Sequence, residues 1–429
     1  MTLRFARKAS TFLVATALLS GACVVQLVDA NEPLTNGGVT GEAADCTQGA
    51  LISAEPVTSN SATVWKGATL VGRFDMTESD VGPRFDWSGN VMKTNFVGSE
   101  VSVGLKIADD QNADVFFQAQ VDNLDPFEFK VASTDPPLPY PLATDLSYGP
   151  HQVMVMRNTE AQKGVTQFTG FDLGSDGEAA IPTDYQRRIE IIGDSITCGY
   201  GDEGANASCP FDVEVRPGVR DPLTENQYFA YGELAARDLN ADAVILCYSG
   251  KGLMQNLNDK AEDGTTTMPA YYNRTVCTDT DPSNLWDFDA ETDDLKPQVV
   301  LINLGTNDFS RDNDGDGTPD GIDLGNFEAA YRNFVDYVRK HRPDAHIFLA
   351  VSPMLSDQYP LPNARSNLRD ILGRIASDRA ANGDTKVYRI EFVEMGTRYG
   401  LGCDYHPNLI VHRIMADQFA GAVRTKTCW

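Results

Sequence analysis

Residues 187–201 read RRIEIIGDSITCGYG. Ile189, Ile191 and Ile192 make the run apolar apart from Glu190, and it ends at Gly193-Asp194-Ser195. A short apolar run closed by turn residues predicts a buried strand over 188–193. In open α/β sheets the reactive groups stand just beyond the carboxyl ends of the strands, which is where Ser195 falls. Taken alone, a Gly-Asp-Ser triplet is more often a turn. The serine becomes a candidate nucleophile only if the chain also supplies a base.

Downstream of this stretch the pattern alternates between strand and helix. Strands are expected over 243–248, 298–304, 346–351 and 386–392. Helices are expected over 225–239, 324–341, 364–381 and 409–423, each with apolar residues spaced by three and four. Continuous apolar strands alternating with helices predict a mainly parallel, roughly five-stranded sheet covered on both faces. Upstream the period changes to two: Val101, Val103, Leu105 and Ile107 alternate, as do Val115, Phe117 and Ala119. Short alternating runs separated by turns predict an all-β sandwich over 49–174, joined through a Gly, Ser and acid stretch to an α/β/α domain over 185–429.

The first thirty residues are not expected to belong to the fold. Arg4, Arg7 and Lys8 precede the apolar run 12–22, the pattern of a secretory signal peptide over 1–30. Cys23 follows a lipobox-like stretch and offers a lipid anchor as the alternative. Residues 31–48 read as a linker. The protein is therefore expected to be secreted or periplasmic, or else an outer-membrane lipoprotein. Loss of residues 1–30 removes three basic residues and one acid, taking the formal charge from −26 to −28. Such an acidic chain argues against nucleic acid as a partner. Among eight cysteines, Cys198 with Cys209 and Cys247 with Cys277 are the candidate pairs suggested by sequence proximity.

Three further motifs follow predicted strands. Tyr248-Ser249-Gly250 places a glycine where a backbone N–H can approach a substrate oxygen. Gly305-Thr306-Asn307-Asp308 offers the Asn307 amide as a second donor. Cys403-Asp404-Tyr405-His406-Pro407 precedes the last helix and contains the one histidine placed at that edge of the sheet. Each has an ordinary reading as a turn, a cap or a structural histidine. The order Ser195, Gly250, Asn307, His406 is what makes them specific together.

That order resembles the SGNH hydrolase superfamily, and the stretch 187–201 with the preceding 151–173 resembles carbohydrate esterase family 2. The resemblance implies a jelly-roll-like sandwich followed by an SGNH-type domain. It implies Ser195 as nucleophile, His406 as base, and an oxyanion hole made by the Ser195 N–H, Gly250 and Asn307. The superfamily's orienting acid stands three residues before its histidine, where this chain has Cys403. Asp404, two before, is left open between triad member and loop acid. Tyr405 falls where the family often places an aromatic near the sugar. The implied activity is deacetylation of acetylated plant polysaccharide or oligosaccharide, xylan or glucomannan, by a monomer that needs no cofactor for catalysis. Another SGNH lipase or thioesterase, or a non-catalytic carbohydrate-binding surface protein, stays open as an alternative.

Residues 312–323 match a twelve-residue calcium loop, with Asp312, Asp314, Asp316, Thr318, Asp320 and Asp323 at the ligand positions and Gly317 at the sixth. Clustered carboxylates repel without a cation. A structural calcium ion is expected there.

Overall fold

The computed structural model describes residues 38–44, 57–58 and 63–429, less 79, 111–112, 133–138, 181–182, 258–265, 280, 282, 293–294, 313 and 397. The expected signal peptide, Cys23 and most of the expected linker lie outside the described residues. Among those residues, no helix is long and apolar enough to cross a membrane.

The first part of the chain is built from two antiparallel sheets. One runs in the order Thr63–Trp65, Ala68–Val71, Val91–Gly98, Gly149–Arg157, Val115–Val121, Phe127–Val131. The other runs Arg84–Phe85, Gly164–Asp172, Val101–Asp110, Pro139–Ala143. The facing sides of the two sheets turn inward, so Phe85, Phe96, Val103, Phe117, Val155 and Phe168 form a shared core. The acidic, glycine-rich stretch expected to separate the domains adds a strand, Glu178–Ala180, to the edge of Val91–Gly98.

The second part carries the parallel sheet. Its strands are β1 (Arg187–Gly193), β2 (Ala241–Cys247), β3 (Val299–Asn303), β4 (His346–Val351) and β5 (Val387–Glu391), ordered β2-β1-β3-β4-β5. β1, β2 and β3 are buried along their whole length, which is why apolar residues dominate them on both faces. On one face the helices Leu324–His341 and Ala364–Ala381 bury Phe327, Tyr331, Leu368 and Leu372 against Val300 and Ile302. On the other, Tyr231–Leu239 and Leu409–Thr427 bury Tyr231, Met415 and Phe419 against Ile189, Ile191 and Leu301. The result is an α/β/α layering.

The helix expected over 225–239 begins only at Tyr231. Asn226 instead caps a short 3-10 turn, Gln227–Phe229, and Ala230 is extended. Tertiary bonds override helical propensity here. The Asn226 N–H donates to Asp202 Oδ1 at 3.1 Å, and Ser88 of the sandwich donates to Gln227 Oε1 at 3.0 Å. The two domains are joined by charged side chains as well as by packing. Lys93 reaches Asp242 at 2.8 Å, and Arg73 lies 3.5 Å from Glu190 in the middle of β1.

Candidate active site

β1 ends at Gly193, whose hypothetical Cβ would stand 2.0 Å from Thr197 Oγ1, so only glycine permits the sharp exit. Asp194 then caps a single helical turn, Ser195–Cys198, accepting the Ile196 N–H at 3.1 Å. Ser195 is the first residue of that turn, where backbone N–H groups have no helical acceptor. Two disulfides brace the surroundings. Cys198 bonds to Cys247, tying the Ser195 turn to the end of β2. Cys209 bonds to Cys403, tying the histidine loop to the segment after the serine. Sequence proximity had suggested Cys198 with Cys209 and Cys247 with Cys277. The actual pairs join segments that the fold brings together from far apart in the sequence, and Cys277 is a buried free thiol.

His406 comes from the loop between β5 and the last helix. Its Nε2 lies 2.9 Å from Ser195 Oγ, and its Nδ1 lies 3.0 Å from the backbone carbonyl oxygen of Asp404. The Asp404 carboxylate points elsewhere and accepts the Tyr200 hydroxyl at 2.8 Å. Asp404 and Tyr405 both adopt left-handed backbone conformations, with φ of 48° and 62°, and this double twist turns the Asp404 carbonyl toward the imidazole. Tyr200 stacks on Phe211 at 3.7 Å between centroids and on His406 at 4.2 Å, forming a wall behind the ring. Desolvation pushes the His406 pKa down to about 4, against a smaller upward pull from the Asp404 carbonyl. The imidazole is therefore neutral, with Nε2 an acceptor for the serine proton while Nδ1–H donates to the carbonyl.

The opposite wall comes from the ends of β2 and β3. Gly250 has φ of 77°, and nothing lies within 4 Å of where a Cβ would stand. Asn307 donates through Nδ2 to the Lys251 carbonyl at 2.8 Å, with Asp194 Oδ2 at 3.4 Å. Tyr405 is 65% exposed beside His406, open to a ligand.

The acidic loop is brought together only in its first half. Carboxylate oxygens of Asp312, Asp314 and Asp316 lie within 4.8 Å of one another. The N–H groups of Gly315 and Gly317 donate to Asp312, and that of Thr318 to Asp316. Asp320 N–H donates to the Arg311 carbonyl, and Asp323 caps the helix Leu324–His341 through Asn326 N–H. Asp312 N–H in turn donates to the Leu257 carbonyl, and Leu257 N–H to the Gly250 carbonyl, so two backbone bonds connect this loop to the active-site rim.

Comparison with known proteins agrees with this architecture. The carbohydrate esterase 2 N-terminal model matches residues 70–182, and the GDSL-like lipase/acylhydrolase model matches residues 191–414. The structure of a family two carbohydrate esterase from Clostridium thermocellum, in complex with cellohexaose, superposes with a TM-score of 0.69 at 35% identity over 83% of this chain and 98% of that one.

The chain belongs to carbohydrate esterase family 2.

This family 2 esterase is also 36% identical over 365 residues to the cellulase/esterase CelE of Acetivibrio thermocellus; the match covers 85% of the chain but only 40% of that relative's length. An acetylxylan esterase / glucomannan deacetylase of Cellvibrio japonicus is 29% identical over 336 residues, 78% of this chain and 83% of the relative.

Several residues that shape the candidate site carry little signal in the sequence. Buried Asp308 accepts the N–H groups of Leu253, Met254 and Gln255 at 2.7–3.0 Å and so holds the loop after Gly250. The only sequence clue is an acid directly after Asn307. Tyr200 lies within the serine motif itself, yet its stacking on a histidine 206 residues later is invisible until the chain is folded. Glu160, from the sandwich, has no local clue at all.

Proposed function

We propose that this chain is an exported serine esterase that removes acetyl groups from plant cell-wall polysaccharide, acetylated xylan or glucomannan, through a Ser195–His406 dyad. One observation carries the reading: Ser195 Oγ, both nitrogens of His406 and the Asp404 carbonyl form one continuous hydrogen-bonded line. Neutral His406 takes the Ser195 proton as Oγ attacks the acetyl carbonyl. The Ser195 N–H and the Gly250 N–H receive the oxyanion, joined by Asn307 Nδ2 through the hydrogen that otherwise makes its long 3.4 Å contact with Asp194. The imidazolium, stabilised at Nδ1 by the Asp404 carbonyl, then protonates the departing sugar hydroxyl. Water activated by the same imidazole hydrolyses the acetyl-enzyme. Tyr405 offers an exposed ring for a sugar face.

The substrate class rests on the names of the relatives, one an acetylxylan esterase / glucomannan deacetylase and another a structure bound to cellohexaose. Export rests on the leader-like residues 1–30 and on disulfides, which persist in oxidising compartments. Asp312, Asp314 and Asp316 converge as a calcium ion requires, with the Thr318 carbonyl, Asp320 and Asp323 next in the loop to complete its shell. Calcium there supplies rigidity to the rim and takes no part in the reaction.

Acetate release from 4-nitrophenyl acetate, acetylxylan and acetylated glucomannan tests the proposal. The wild-type chain is expected to act on all three and Ser195→Ala on none. Undiminished activity in Ser195→Ala refutes the mechanism.

A further inference from the structure

Glu160 lies in the sandwich domain, where the chain crosses from the strand Gly149–Arg157 to the strand Gly164–Asp172, and it is fully buried. Its carboxylate faces the other domain. Oε1 accepts the Ser249 hydroxyl at 2.6 Å, and Oε2 accepts the Ser249 backbone N–H at 2.7 Å. The crossing is itself held rigidly. Buried Arg157 donates to the carbonyls of Thr159, Glu160 and Gly164 and to Thr166 Oγ1, at 2.7–3.1 Å. The Glu160 N–H donates to Glu225 Oε2 at 3.3 Å.

Burying a carboxylate is costly unless donors meet it. Burial raises the Glu160 pKa, and the two Ser249 bonds oppose the rise. Adhesion between the domains does not need this acid at this place, since Lys93 and Arg73 already bridge them. The bonds fall on the residue just before Gly250. A left-handed glycine with open space where a Cβ would stand has no side-chain packing to hold it. The direction of its N–H follows the Ser249–Gly250 peptide plane. The peptides on either side of that plane are held: Glu160 fixes Ser249 through its backbone N–H and its hydroxyl, and Leu257 N–H, at 3.0 Å, fixes the Gly250 carbonyl.

We infer that Glu160 is a positioning residue: by gripping Ser249 it aims the Gly250 N–H into the oxyanion site, so that the sandwich domain completes the active site of the α/β domain. The inference rests on the role given to Gly250 under the proposed function. It makes the sandwich a working part of the esterase in addition to any sugar it binds.

The test compares Glu160→Ala, Glu160→Gln, Glu160→Asp, Lys93→Met and Ser195→Ala in the full chain with 4-nitrophenyl acetate. Removing an oxyanion donor typically costs on the order of 10²–10³ in kcat. A donor that is misaimed and not removed is expected to cost about 10–100-fold in kcat, with KM within roughly 3-fold. Glu160→Gln keeps both contacts if the Ser249 hydroxyl reverses to accept, and is expected within about 5-fold of wild type in kcat. Lys93→Met, which breaks the domain interface elsewhere, is expected to lower the melting temperature and leave kcat unchanged. Wild-type kcat in Glu160→Ala alongside inactive Ser195→Ala overturns the inference and leaves the proposed function standing. Activity surviving in Ser195→Ala overturns the proposed function itself. An equal loss of kcat in Lys93→Met and Glu160→Ala also overturns the inference, because it reports general loosening. If Glu160→Ala does not fold, Glu160→Asp, whose shorter arm cannot reach both Ser249 donors, decides by the same kcat comparison.

Discussion

Replacing Asp404 separates two ways of orienting the base. In a Ser-His-Asp triad, loss of the acid's charge costs roughly 10⁴ in kcat. Here the Asp404 carboxylate touches Tyr200, and the backbone carbonyl, which every substitution keeps, touches His406. What a side-chain change removes is one hydrogen bond to a charged acceptor, worth about 1.5–3 kcal/mol at most. If all of it reached the barrier, kcat would fall by roughly 10–150-fold, at about 1.36 kcal/mol per tenfold. Asp404 is exposed, so the low end of that range applies. Asp404→Asn keeps an acceptor for Tyr200 and a residue that tolerates a φ of 48°. It is expected within about 3-fold of wild type. Asp404→Ala loses the Tyr200 bond and strains the backbone, and is expected to cost about 10–30-fold. Steady-state hydrolysis of 4-nitrophenyl acetate, with a melting curve for each variant, measures both. A fall of 10³ or more in folded Asp404→Asn would refute the dyad and place the carboxylate in the proton relay.

The acid limb of kcat/KM should follow His406, whose pKa is pushed down to about 4. A lowered pKa favours the neutral base, so activity is expected to persist well below the ordinary histidine value of about 6.5, and a limb near 6.5–7 would contradict the burial argument. The same shift makes His406 destabilising on acidification: the unfolded chain takes up its proton first, and stability attributable to this group falls as pH drops from about 6.5 toward 4. Cys403→Ser opens the bond to Cys209 across a separation of 194 residues and should cost roughly 2–5 kcal/mol in stability. It should also loosen the histidine loop, read as a lower melting temperature together with a lower kcat; unchanged values for both would show that the loop is held without it. Calcium at a hundred times its Kd should stabilise the chain by about 2.7 kcal/mol. A chelator should reverse this, and Asp314→Ala should abolish the response; a melting temperature indifferent to both calcium and chelator removes the ion from the acidic loop.

The fold class and many residues of the candidate site were legible because their signals are local. β1 is buried throughout since both faces of a parallel sheet are covered, and that burial is written into Ile189, Ile191 and Ile192. Gly193 and Gly250 mark a close approach and a left-handed turn that few other residues tolerate. Ser195, Asn307 and His406 could be nominated from their places after strands, since the carboxyl edge of a parallel sheet gathers its loops. The disulfide pairs were not legible, because pairing follows Cα proximity in the folded chain and not spacing along it. Nor was the abrupt start of the helix at Tyr231, where Asp202 and Ser88 bind Asn226 and Gln227 more strongly than helical propensity does.

By itself, then, the sequence determined the layers of the molecule and nominated a serine and a histidine, because burial period and turn chemistry act over a few residues. Only the tertiary structure decided what stands behind His406. A carbonyl and a carboxylate of the same Asp404 compete for that place, and two successive left-handed residues, braced by a disulfide and an aromatic stack, turn the carbonyl inward. The tertiary structure alone also brought Glu160, 35 residues before the serine and in another domain, to the peptide that precedes Gly250. Contacts of that kind depend on how two finished domains dock, and no local pattern in the chain encodes them.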